Sequence, residues 1–95
     1  MDADLKMLFS SAVGGSDVAA RWSAIDQLMM LSKVRPDIVT DVTACVLMFM
    51  LLSDDENQSG STEFYPHLQA AENSKSIPTG VIMDIERLRE KIRTT

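Results

Sequence analysis

Ninety-five residues, 45% hydrophobic and 24% charged with four glycines and three prolines, fit one compact domain and not a disordered chain. The net charge of −5, from fourteen acids against nine bases, argues against direct nucleic-acid binding, which needs a basic face. One cysteine, Cys45, leaves no intrachain disulfide and points to a reducing, cytoplasmic setting, and the opening MDADLKMLFS lacks the apolar run of a secretory signal.

Residues Ala3–Val13 place Leu5, Leu8, Phe9 and Ala12 at i, i+3, i+4 and i+7, which predicts a one-faced helix that Gly14-Gly15 ends. Ser16 is a fitting N-cap for the next helix, with Asp17 in its first turn. That second helix runs to about Val34 and carries Val18, Trp22, Ile25 and Met29 on one stripe, widened by Leu28 and Leu31. Arg21, Asp26 and Lys33 fall on its opposite face. Arg35-Pro36-Asp37 interrupts the chain, because a residue before proline avoids helical angles.

A third helix follows through about Ser53, amphipathic at Ile38, Asp41 and Val42 and then apolar all round from Ala44 to Leu52. Methionine and leucine outnumber β-branched residues there, which favours helix over strand. Val42–Leu52 spans eleven residues where a membrane crossing takes about twenty, so no membrane is expected as a partner. Seven large side chains from Val46 to Leu52, at ~1.5–3 kcal/mol each when buried, make this helix the expected centre of the core.

Residues 53–62, SDDENQSGST, read as a flexible acidic loop. The segment from Glu63 to Ser76 reads as a short fifth element with Pro66 in a first turn, followed by Leu68, Ala70 and Ala71. A last helix opens at Pro78 and carries Val81, Ile85, Leu88 and Ile92 on one stripe. The i, i+3 pairs Asp84–Arg87, Glu86–Arg89 and Glu90–Arg93 support it.

Catalytic and metal chemistry find little material. Cys45 lies among Val, Leu and Met, where a thiol is structural and not an accessible nucleophile. His67 alone cannot make a zinc site. Counted from Asp55, the loop offers Asp55, Asn57 and Ser59 at calcium-loop positions 1, 3 and 5 with Gly60 at 6. Position 12, which needs a bidentate Glu, is Pro66. No enzyme activity, metal or cofactor is expected.

Two stretches resemble known families. Residues 14–56 resemble one antiparallel hairpin of the HEAT or armadillo kind, with the acid–Arg–apolar opening of SDVAARW, the Pro36-Asp37 corner and the acidic exit; this implies an adaptor surface. In the second half, STEFYP followed by IPTGVIMDIERLR resembles the end of the small immunity proteins that neutralise DNase colicins and pyocins. The resemblance implies that Phe64, Tyr65 and Pro66 form a recognition turn and that Pro78, Gly80, Val81, Ile82 and Ile85 open the closing helix. It departs at Leu88, where that family has tryptophan, and at 37–53, apolar here where the family has its acidic partner-selecting helix.

The expectation is an all-α single domain, four main helices and room for a short fifth around a central apolar helix. Its expected role is non-enzymatic protein–protein interaction, with self-association through surplus apolar helix surface leaving Trp22, Val46, Phe49 and Met50 as core or contact residues. The alternatives are an immunity-type inhibitor that meets a basic partner such as a nuclease through Asp54, Asp55, Glu56, Glu63, Phe64 and Tyr65, or an adaptor hairpin.

Overall fold

Among the described residues, four helices wrap a fifth that is apolar on most of its perimeter. The computed structural model describes residues 3–53 and 64–94, and among them the elements are α1 (Ala3–Gly14), α2 (Val18–Val34), a 3-10 turn (Pro36–Ile38), α3 (Val39–Ser53), α4 (Phe64–Ser74) and α5 (Thr79–Thr94), with no strand. The radius of gyration, 12.5 Å, is that of a compact chain of this length.

The stripe expected on α1 points inward: Leu5 and Ala12 are buried, and Leu8 and Phe9 pack against the core. Gly15 makes the tight exit. A Cβ there would stand 2.6 Å from the Ser11 carbonyl oxygen, which accepts the Gly15 N–H, and 3.0 Å from Cγ of Arg21. The N-cap of α2 is Asp17, one residue later than expected, with its carboxylate accepting from the Ala19 N–H at 3.0 Å. At the other end Arg35 closes the last turn onto the Leu31 carbonyl and pairs with Asp37 at 2.8 Å across Pro36, pinning the corner. Arg35 also holds the exposed Asp37 carboxyl below its ordinary range, chiefly by hydrogen bonding.

Helix α3 packs against α1, α2, α4 and α5. Eight of its residues are buried: Val39, Val42, Thr43, Cys45, Val46, Leu47, Phe49 and Met50. The Thr43 hydroxyl is satisfied within the helix by donating to the Val39 carbonyl at 2.8 Å, so burying it strands no polar group. The 18 residues Pro36–Ser53 are long and apolar enough to cross a membrane by length and composition, a longer run than the eleven counted above, and half of them are buried inside the fold. Contact with four other helices accounts for that composition as a core helix. Only Met48 and Leu52 among its large side chains are exposed, at 44% and 58%. The surplus apolar surface expected on this helix is therefore confined to those two residues and its partly covered margins, and Val46, Phe49 and Met50 are interior residues of a single chain.

The short element of the second half is an 11-residue helix, α4, with Pro66 in its first turn as expected. It packs on α3 through Ala71, Leu68 and Phe64. It ends at Lys75, whose φ of 56° is left-handed and whose N–H bonds the Ala71 carbonyl at 2.8 Å. The Pro78 carbonyl then starts α5, accepting from Val81 and Ile82. Val81, Ile85 and Leu88 are buried, and the stripe runs out to the surface at Ile92.

A left-handed C-terminal position favours glycine, because a side chain there crowds the following carbonyl. Lys75→Gly should therefore raise stability by roughly 0.5–1 kcal/mol. Thermal melts of the two proteins check this, and a lower melting temperature in the variant contradicts the assignment.

Candidate functional site

The seam between α2 and α5 carries a cleft, a groove and a run of ring contacts. Both helices lie on α3, and between them the ring of Trp22 from α2 meets Phe49 of α3 edge-to-face, with centroids 4.7 Å apart at 69°. Each ring carries a guanidinium: Arg89 of α5 lies 4.7 Å over Trp22, and Arg21 lies 5.2 Å over Phe49. Arg89 also pairs with Asp26 of α2, not with Glu86 in its own helix as its i, i+3 spacing predicts. The result is a four-membered stack, Arg89–Trp22–Phe49–Arg21, that ties three helices together. Cation–aromatic contacts of this kind contribute about 0.5–1 kcal/mol each where partly exposed, and the ring pair adds about as much.

On one side of this stack a cleft of about 310 Å³ opens where the start of α2 meets the ends of α3 and α5. Val18, Trp22, Phe49, Leu52 and Ile92 supply its apolar lining, with Arg21 and Ser53 as its polar groups. Val18 is 55% exposed, although the helical period placed it inward, and Arg21 is half-buried, although the period placed it outward. Arg21 is held down by the missing side chain of Gly15 and by Phe49 beneath its guanidinium. One of its terminal N–H groups reaches Ser53 Oγ at a long 3.4 Å, and its Nε is buried with no acceptor among the described residues.

On the other side a groove of about 450 Å³ runs along the seam, lined by Met29, Met30, Ile82 and Ile85 and edged by Asp26, Lys33, Glu86 and Arg89. A second hollow of about 360 Å³ shares Met29, Lys33 and Ile82 with it and continues to Ile77 and Lys75. Met30 and Val34, one helical turn apart on α2, are two of the most exposed apolar side chains, at 69% and 75%.

Of the residues that sequence reasoning singled out, Trp22 and Phe49 stand in this stack, while Val46 and Met50 lie in the core below. Phe64 and Tyr65 form the start of α4, with their rings in edge contact and Tyr65 78% exposed. Asp54, Asp55, Glu56 and Glu63, together with the calcium-like positions and most of the acidic loop, fall outside the described residues. The first turn of α4 and the opening of α5 are adjacent. A Cβ on Gly80 would meet the His67 ring at 3.3 Å, so the turn after Phe64–Pro66 lies against the opening of α5. No group of three or more His, Cys, Asp or Glu residues among the described residues is placed to hold a metal ion. Arg21 and Arg89 are the site residues that the sequence did not reveal. The one available signal was the ARW triplet, which sets a cation beside the lone tryptophan.

The chain matches no family model, no curated protein and no solved structure.

Burial pushes the Cys45 thiol up from about 9 to about 11. The unfolded chain then loses a proton above about 9 that the folded chain keeps, so this group costs nothing at neutral pH and erodes stability between about pH 9 and 11. Relative to Cys45→Ala, the native protein should lose stability across that window in denaturant titrations. Its thiol should react with an aromatic disulfide at pH 8 only on unfolding; immediate stoichiometric reaction under native conditions contradicts the burial.

Proposed function

We propose that the protein is non-catalytic and works by binding another protein chain, in the first instance a second copy of itself, through the groove between α2 and α5. The observation that carries this reading is the groove itself, lined by Met29 and Met30, at whose edge Met30 and Val34 rise as an exposed ridge. Methionine suits a surface that must adapt to a partner. A two-fold interface needs one patch to present both ridge and groove, and to carry charges of both signs so that it complements itself. Asp26 and Glu86 with Lys33 and Arg89 meet that second requirement. Val46, Phe49 and Met50 are buried in the core, so this reading takes the neighbouring seam, and not α3, as the contact surface.

A second reading, an inhibitor of a basic protein of the immunity type, is favoured by the exposed ring of Tyr65 at the start of α4. Affinity for such a partner falls steeply with salt, and salt-independent binding contradicts that reading.

Size-exclusion chromatography with light scattering at tens of micromolar tests the first reading. The expected mass is a dimer's, and Met30→Glu should give a monomer that still unfolds cooperatively, because Met30 is largely exposed in the single chain, at a melting temperature no longer dependent on protein concentration. A wild-type monomer at every concentration overturns self-association through the groove.

A further inference from the structure

We propose that the cleft at the Arg21 end of the seam is a binding site for a carboxylate carried on an apolar body. Its volume, about 310 Å³, is at the lower bound of small-ligand sites, and its make-up follows their general pattern of apolar walls with a few directed polar groups. The walls are Val18, Trp22, Phe49, Leu52 and Ile92, and the polar groups are Arg21 and Ser53.

The guanidinium of Arg21 is the feature that asks for a ligand. Arg35, Arg87, Arg89 and Arg93 each engage a carboxylate, of Asp37, Asp84, Asp26 and Glu90 respectively. Among the described residues, Arg21 has only the long contact to Ser53 Oγ and the face of Phe49, and its Nε–H is buried with no acceptor. A buried donor without an acceptor is unfavourable, and more so on a charged group. Guanidinium presents Nε–H and a terminal N–H as a planar fork that matches the two oxygens of a carboxylate. An acid entering the cleft would accept from the terminal N–H groups, reach Nε–H on a small turn of the guanidinium, and lay its apolar body along Trp22, Leu52 and Ile92.

The charge balance sets the class of ligand. A chain of net charge −5 does not draw anions in by long-range attraction, so a bare inorganic anion gains little here. The apolar walls must supply the rest of the affinity, which selects an aryl or alkyl carboxylate. This site shares no lining residue with the α2–α5 groove.

Trp22, the single tryptophan, lines the cleft and reports on its occupancy. The full chain is titrated with 3-phenylpropionate, with its neutral amide 3-phenylpropanamide, and with a tripeptide ending in a free C-terminal phenylalanine, following Trp22 fluorescence. The expected result is saturable binding of the acid, at least tenfold tighter than the amide. Arg21→Met should bring acid and amide to the same affinity, and Leu52→Ala, at an exposed wall residue, should weaken both without altering the fold. Tighter binding of the tripeptide than of the free acid identifies a chain terminus as the source of the carboxylate, and the reverse order identifies a free acid; either supports the site. Equal affinities of acid and amide for the wild type, or no Trp22 response to any probe at tens of millimolar, overturns the proposal.

Discussion

Hiding one apolar helix in a short chain is the constraint from which the rest of this structure follows. Helix α3 has buried residues on successive positions, not on a single stripe, so one neighbour cannot cover it. The chain answers with four amphipathic helices, each giving a stripe of two to six apolar residues to the common core. Small domains bury a limited share of their surface, and this one leaves Met48, Leu52, Val18 and Met30 outside. The surface features are the places where that cover stops. The groove marks where α2 and α5 sit on α3 without closing on each other, and the cleft marks where α3 runs out at Leu52 and Ser53.

The Arg89–Trp22–Phe49–Arg21 stack holds that incomplete closure in shape. Its contacts are worth a few kcal/mol together, and exposed ion pairs such as Arg89–Asp26 and Arg35–Asp37 add little. Burial of the α3 side chains is several times larger. The stack therefore directs how α5 meets α2, while apolar burial decides whether the chain folds. That division leaves surface chemistry at the seam free to vary without loss of the fold.

Element order, the Pro36 corner and the central position of α3 were legible because each depends on local pattern: 3.6-residue periodicity, a proline, and an apolar run too dense for a surface helix. Three features escaped for physical reasons that are all long-range. Arg21 sits on the outward face of α2 by period, yet Phe49 and Ser53 rise beside it from thirty residues away in sequence and half-bury it. Arg89 had a carboxylate three residues before it, but the tertiary partner Asp26 on α2 won. The groove was invisible for the same reason, since its lining joins Met29 and Met30 to Ile82 and Ile85 only after both helices dock. Helix α4, by contrast, was expected as a short element with Pro66 in its first turn, and docking on α3 supports its eleven residues.

Native-state hydrogen exchange tests the primacy of α3 most directly. Amides from Val42 to Met50 should be the slowest in the protein and should exchange only through global unfolding, with the same free energy and denaturant dependence as the whole molecule. Exchange of those amides ahead of the amides of α2, through a local opening that leaves the other helices intact, would contradict the account of α3 as the element around which the fold is built.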